Sequence, residues 1–160
     1  MKTKFIAILV LLLSIAVASC KKESKASKSQ KELEGTWIAV NNISSVAGAR
    51  VRVVFGPKNM AAFTNYYIDE NTGAIKSYNS KQISKYRIVG ENGLELYDII
   101  PYTKESNATV TNEDNLVKGA MLQSTQPYSF RFNDTRTKLN LNIICGPNAH
   151  CISPQEYLKQ

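Results

Sequence analysis

Strict alternation of apolar and polar residues, in short runs separated by turn residues, is the feature that most constrains the fold of this chain. In residues 50–55, apolar side chains at 51, 53 and 55 alternate with arginines at 50 and 52. The same pattern returns in residues 128–132 and 139–143. A period of two predicts β-strands that bury one face and expose the other.

Clusters of Gly, Pro, Asn and Asp divide the chain between these runs. The clearest is Gly90-Glu91-Asn92-Gly93, which predicts a tight hairpin because Asn-Gly tolerates positive φ angles. Pro101 is predicted to end the strand that follows this hairpin, and the polar residues 102–115 then form either a mobile loop or a short edge strand. The predicted strands are residues 33–40, 50–55, 60–68, 74–78, 82–89, 94–100, 116–122, 128–132 and 139–143.

Eight or nine strands joined mainly by short turns predict an all-β fold, an antiparallel up-and-down meander. A meander of this length avoids exposed edges by closing on itself, so we expect a barrel, with a two-sheet sandwich as the rival. No segment of the body has helical periodicity over ten or more residues. Near residue 153, Ser-Pro-Gln-Glu predicts the start of a helical turn, and a last short strand from Tyr157 is the alternative.

The N-terminal segment has the features of an export signal. Two lysines precede the apolar run of residues 5–17, and Val17-Ala18-Ser19 leads into Cys20. The run is too short to span a bilayer comfortably. Ending on Val-Ala-Ser-Cys, it resembles the bacterial lipobox, which implies cleavage before Cys20 and acylation of that cysteine with chains such as palmitate. The alternative is an ordinary secretory signal that happens to end beside a cysteine.

The resemblance implies a location and divides the chain. Residues 1–19 are the signal peptide, residues 20–32 are the lipidated cysteine and a flexible tether, and residues 33–160 are the folded domain. Lys21 is not the Asp that typically retains lipoproteins at the inner membrane, so we expect the outer membrane, on either its periplasmic or its surface side. The formal charge of +7 lies largely in residues 21–31 and in the leader, so it gives no reason to expect nucleic-acid binding.

The opening of the domain carries a second resemblance. Gly35-Thr36-Trp37, which holds the only Trp, resembles the Gly-x-Trp start of the lipocalin and fatty-acid-binding (calycin) barrels, and above all of small bacterial lipocalin-like lipoproteins. The family implies that Trp37 closes one end of the barrel, that an arginine such as Arg131 or Arg136 packs on it, and that the other end admits an apolar ligand. A buried Trp with no ligand site behind it is the alternative.

The remaining reactive residues point to structure rather than chemistry. Cys145 and Cys151 are predicted to form a disulfide in an exported chain, which stabilises by roughly 2 kcal/mol for so short a loop. His150 is the only His, and a zinc site normally needs three or four ligands. We therefore expect no catalytic residues, no metal site, no cofactor and no enzyme activity.

Two functions fit these observations. The first is a lipid-anchored module that holds a small apolar or amphipathic ligand inside the barrel, where arginines could bind a carboxylate if their face were internal (Arg50, Arg52, Arg87 and Arg131). The second is an envelope inhibitor or immunity-type protein with a solid barrel, whose loops at residues 41–48 and 102–115 bind a partner protein. An interior filled by Trp37, Val53, Phe63, Tyr86 and Phe130 favours the second, and a cavity of roughly 300 Å³ favours the first.

Overall fold

The computed structural model describes residues 25–40, 46–145 and 155–160. Within these residues the chain forms one α-helix, α1 (Lys25–Leu33), and nine β-strands. The strands are β1 (Gly35–Ala39), β2 (Ala49–Gly56), β3 (Met60–Ile68), β4 (Ile75–Val89), β5 (Gly93–Thr103), β6 (Val117–Lys118), β7 (Gln126–Phe132), β8 (Lys138–Ile143) and β9 (Gln155–Lys159). All strand pairings between them are antiparallel.

The strands close into a barrel, which confirms the predicted fold. Consecutive strands pair from β1 to β5, β5 pairs with β7, and β7 to β9 follow in order. β9 then pairs with β1, with Ala39 opposite Tyr157, and this pairing completes a ring of eight strands. β6 is an additional short strand beside the second half of β5. Because the ring is closed, the rival two-sheet sandwich is excluded.

The inward faces of the strands are those that the alternation predicted. Along β2, burial alternates without a break, and along β8 the apolar positions Leu139 and Leu141 are buried. Tyr86 and Leu96, opposite each other on β4 and β5, are fully buried in the same core. This core holds the strands together because most of the apolar area removed from water lies inside the ring.

Glycine is required where β1 begins. Gly35 has a φ of +128°, which side chains with a Cβ rarely adopt, and a Cβ there would lie 3.2 Å from the Cε of Lys159. The predicted hairpin between β4 and β5 is also confirmed, although the residue with positive φ is Gly90 (+66°) rather than the predicted Asn-Gly pair.

Three predicted strand boundaries are wrong. The strand predicted over residues 116–122 is reduced to β6, Val117–Lys118. The strands predicted over 74–78 and 82–89 are parts of one strand, β4, and Pro101 lies inside β5 opposite Gln82. An irregularity in the pairing and a positive φ of 51° at Asp98 add one residue to β5 there, so its inward positions change from even to odd numbers. Pro101 is one of the residues that line the cavity, and its carbonyl accepts the Gly119 N–H at 2.8 Å.

The flexible tether was predicted for residues 20–32, but residues 25–32 form helix α1 together with Leu33, the first residue of the predicted domain. Lys, Ala, Gln and Glu are good helix formers, but nine residues form a helix only weakly on their own. Contacts with the barrel stabilise it: Leu33 is fully buried, the Gln30 amide donates to Asn59, and Glu32 lies 3.5 Å from Arg136. The core therefore extends back into α1, of which Leu33 is the last residue.

A helical start was predicted at residues 153–156. For residues 155 and 156 this prediction is wrong, because they belong to strand β9, Gln155–Lys159. The alternative, a last short strand, is the observed one. Pairing with both β1 and β8 outweighs the local capping pattern, since each side of β9 gains a ladder of hydrogen bonds. Ser153 and Pro154 lie outside the described residues.

Candidate ligand-binding site at the open end of the barrel

One end of the barrel is filled around Trp37. This side chain is fully buried, and its indole N–H donates to the Leu33 carbonyl at 2.7 Å. The Lys159 ammonium lies 5.0 Å from the indole centroid, and the Phe132 ring is 5.8 Å away on centroids. α1 and Trp37 together therefore close this end of the barrel, which we call the closed end.

The cation on Trp37 differs from the one that the family resemblance implied. Neither predicted arginine takes that place: Arg136 lies 5.1 Å from the Phe132 ring, and Arg131 is exposed on β7. Lys159 lies on Trp37 instead. Sequence reasoning missed it because residue 159 reaches Trp37 only through the pairing of β9 with β1.

The opposite end of the barrel contains a cavity of about 360 Å³. Five side chains were proposed to fill a solid interior. Phe63 lines the wall of the cavity, and the other four are buried between the cavity and the closed end: Trp37, Val53, Tyr86 and Phe130. Apolar and aromatic lining comes from Val51, Phe63, Pro101, Tyr128, Leu141, Ile143 and Tyr157. The barrel is thus solid at its closed end and hollow at the other, which we call the open end.

Amide side chains from four different strands also line the cavity. They are Asn65 on β3, Gln82 on β4, Gln126 on β7 and Gln155 on β9. Asn65 donates to the Ser80 hydroxyl at 2.8 Å, and Gln82 donates to Gln126 at 3.4 Å, a long hydrogen bond. Each amide offers both donors and acceptors, so the group can bind hydroxyl or amide functions of a ligand.

Aromatic rings form a second element of the wall. The Phe63 and Tyr128 rings are stacked, with centroids 6.0 Å apart and planes 21° apart. Burial raises the pKa of Tyr128 to about 12, and burial together with Tyr128 also raises the pKa of Tyr157. Both phenols are consequently neutral across the physiological range and act as hydrogen-bonding groups rather than as charges.

Lys81 borders the cavity region on β4, but its side chain lies on the outer face of the barrel, because Lys81 is paired with Thr64 and Thr64 with Arg52, and a carboxylate neutralises it there. Its Nζ lies 2.6 Å from Glu113 Oε1, and the other oxygen of Glu113 pairs with Arg52 on the outer face of β2. The Thr64 hydroxyl lies 3.4 Å from the same carboxylate. Burial raises the pKa of Glu113, but the hydrogen bonds and charges of Lys81 and Arg52 outweigh burial and leave this pKa below its ordinary value.

Glu113 also fixes the segment that was predicted to be a mobile loop or an edge strand. The segment contains the short 3-10 turn Glu113–Asn115, with Asn112 capping it through Asp114 N–H, and a single bridge joins Val110 to Tyr78. Val110 and Leu116 are buried. Residues 104–116 therefore lie against the outer wall of the barrel instead of projecting from it.

Other predicted site residues fall into two groups. Arg50 and Arg52 lie on the outer face of β2, opposite its buried positions, and Arg87 pairs with Glu95 outside the barrel. The arginines are therefore not internal, and the conditional role in binding a carboxylate inside the lumen does not apply to them. The second group lies outside the described residues and comprises Cys20, His150 and Cys151.

Cys145 is disulfide-bonded. Its partner is not among the described residues, so the pairing with Cys151 stays a prediction. Within residues 25–40, 46–145 and 155–160, no group of three or more His, Cys, Asp or Glu side chains is arranged to hold a metal ion. In the same part of the chain, none of the helices has the length and hydropathy of a membrane span.

Comparison with known proteins adds no assignment to this geometry. No protein-family model and no characterised protein matches the chain.

Proposed function

We propose that this protein is an envelope lipoprotein, anchored through acylated Cys20 in the bacterial outer membrane, whose lipocalin-like barrel binds a small amphipathic molecule. The observation that carries the proposal is the cavity of about 360 Å³ above a filled closed end. Ligand sites in proteins commonly measure about 300 to 1,000 Å³ and combine apolar walls with a few placed polar groups. The aromatic wall and the amides of the open end have this composition.

The lipocalin-like assignment is supported by the start of the barrel. Gly35 has the backbone conformation that favours glycine, and Trp37 is buried at the closed end beneath Lys159. These features match the role that the family gives to its Gly-x-Trp motif. The eight-stranded ring is compatible with the same family.

The anchoring part of the proposal is supported by the leader alone, in which a basic start and an apolar run end at Val-Ala-Ser-Cys. More than one acyl chain is needed for stable anchoring, since each buried methylene contributes about 0.8 kcal/mol. A Cys20→Ala variant should leave the detergent phase in which the unaltered chain partitions. Retention of the variant with the membrane would contradict anchoring through this residue.

The cavity favours ligand binding over the inhibitor or immunity-type alternative. That alternative combined a solid barrel with projecting loops, whereas the open end is hollow and residues 104–116 are held to the wall. Residues 41–45, part of the other loop, lie outside the described residues.

Native mass spectrometry of the purified chain tests the ligand proposal. We expect a retained small molecule in the unaltered chain and its loss in Ile143→Trp, whose indole would fill the cavity. Ile144→Trp is the matched control, because Ile144 is the next residue, is exposed, and does not line the cavity. A mass retained equally in both variants, or in neither variant nor the parent, would argue against a ligand held in the open end.

A further inference from the structure

We propose that helix α1 holds the closed end of the barrel against the membrane that carries the acyl anchor, so that the open end faces away from that membrane. The inference rests on the anchoring part of the proposed function and adds the surface through which the barrel meets the lipid. Its first element is the position of α1, which connects the anchored residue to the barrel.

α1 lies over the middle of the closed end and not along the barrel wall. The Gln30 amide donates to Asn59, in the turn between β2 and β3. The Glu32 carboxylate lies 3.5 Å from the Arg136 guanidinium, in the turn between β7 and β8. These two turns are four strands apart in the ring of eight, so they lie on opposite sides of the barrel. A helix that contacts both of them is centred on the closed end.

The end of α1 is also fixed to the last strand and to the core. The Lys159 ammonium donates to the Glu32 carbonyl at 3.3 Å. The Trp37 indole donates to the carbonyl of Leu33, whose side chain is fully buried. Movement of α1 away from the closed end would break these contacts together with those to the two turns.

The chain between the anchor and α1 is short, because residues 21–24 alone separate Cys20 from Lys25. At full extension the chain from Cys20 to Lys25 spans about 18 Å. The helix adds about 8 Å from Lys25 to Gln30, at about 1.5 Å per residue. The acylated residue therefore stays within about 26 Å of the closed end. The flexible tether predicted from the sequence would have spanned about 45 Å over residues 21–32.

The barrel is about as tall as the anchor can reach. β5 has 11 residues, which at about 3.3 Å per residue and a tilt of about 40° give a height of about 25 Å. The turns at the open end add to this height. With the open end on the bilayer, the anchor would have to run along the whole outer wall at full extension. With the closed end on the bilayer no extension is needed, and ligand enters from the aqueous side.

The charge of the same segment favours contact with a lipid surface. Residues 21–31 contain five lysines and one glutamate. Lys28 and Lys31 are exposed on α1, and residues three apart are neighbours on a helix surface. Basic residues next to a membrane anchor are attracted to anionic headgroups. This attraction acts on the closed end, because α1 is fixed there.

Fluorescent labels at the two ends of the barrel test the orientation. Asp134→Cys adds a thiol in the exposed turn between β7 and β8, at the closed end, and Asn71→Cys adds one in the exposed turn between β3 and β4, at the open end. Each acylated chain is labelled with nitrobenzoxadiazole and reconstituted in vesicles of phosphatidylethanolamine and phosphatidylglycerol that contain a lipid with a nitroxide quencher on its headgroup. We expect at least about threefold more quenching at residue 134 than at residue 71, because the two ends are about 25 Å apart.

A proline inside α1 tests whether the helix sets this orientation. Ser29→Pro removes a backbone hydrogen bond and breaks the helix before residue 29, so the reach of the anchor from Gln30 rises from about 26 Å to about 35 Å. We expect the quenching at the two labels to become nearly equal. Ala26→Pro is the matched control, because Ala26 lies in the first turn of α1, where proline is tolerated.

The outcomes separate this inference from the anchoring on which it rests. If the labelled chain does not float with the vesicles in a density gradient, the anchoring itself is wrong. If the chain floats but residue 71 is quenched as strongly as residue 134, or more strongly, anchoring stands and the orientation is wrong. If Ser29→Pro and Ala26→Pro keep or lose the difference equally, α1 does not set the orientation.

Discussion

The docking of α1 on the closed end makes a quantitative prediction for Leu33→Ala. Leu33 is fully buried, at the end of the helix and in contact with the core around Trp37. Leu→Ala substitutions in cores cost about 2–5 kcal/mol, and the higher values occur where the surroundings cannot collapse. Because α1 is a single short helix that can shift toward the gap, we expect a loss of about 3 kcal/mol in the free energy of unfolding.

The hydrogen bond from Trp37 sets a lower limit to this loss. If the last turn of α1 moves away, the indole N–H loses the Leu33 carbonyl that it now meets at 2.7 Å. An unsatisfied buried donor costs about 1–3 kcal/mol. Partial detachment of the helix would therefore also lower the free energy of unfolding of Leu33→Ala.

Urea unfolding followed by the emission of Trp37, the only Trp, measures the effect. With a slope of about 2 kcal/mol per molar urea, the midpoint should fall by about 1.5 M. Leu158→Ala is the matched control, since Leu158 is 39% exposed on β9 and should cost less than about 1 kcal/mol. Equal and small shifts for the two variants would refute the docked helix and restore the extended tether predicted from the sequence.

Three further predictions concern ionisable and redox groups. Glu113→Gln should lower the free energy of unfolding at neutral pH by about 1–3 kcal/mol, because it leaves Lys81 without its partner. Since the folded pKa of Glu113 lies below its ordinary 4.5, its contribution is full above that pH and is lost as pH falls through the folded pKa, so acid unfolding curves of parent and variant should converge. Burial raises the pKa of Tyr128 from its ordinary 10.0 to about 12, so its phenolate absorbance should appear late in an alkaline titration. The stabilisation that Tyr128 contributes should be lost as pH rises from 10 toward 12. Ionisation of Tyr128 near pH 10 would mean that its ring is exposed. Peptide mapping without reductant should find Cys145 and Cys151 linked within one tryptic peptide, and a crosslink from Cys145 to a peptide containing Cys20 would contradict the predicted pairing.

Much of the barrel wall could be predicted because its inward and outward residues differ in polarity. Val51 and Leu139 alternate with polar neighbours, so their strands and faces follow from the sequence. The prediction fails where this contrast is absent. Ser80 and Gln82 face the cavity, so the middle of β4 is polar on both faces and reads as a break between two strands.

The candidate site was harder to predict than the fold for the same reason. A polar cavity requires polar residues at inward positions, and in a sequence these resemble loops: Asn65, Gln126 and Gln155 give no local signal. The ion pair between Arg52 and Glu113 joins residues 61 positions apart, so no spacing rule could find it. Helix α1 was missed because its stability comes from Leu33 in the core rather than from its own sequence.

The pairing of β9 with β1 has a consequence for biosynthesis. β1 and β8 each have one edge that pairs only with β9. A growing polypeptide therefore exposes these two edges until residue 159 has left the ribosome. At about 5–20 residues per second, the time between synthesis of β1 and β9 is many seconds, whereas a hairpin forms in microseconds. Ring completion therefore follows the synthesis of β9, and during that interval the open edges offer binding sites to any chaperone that recognises unpaired strands.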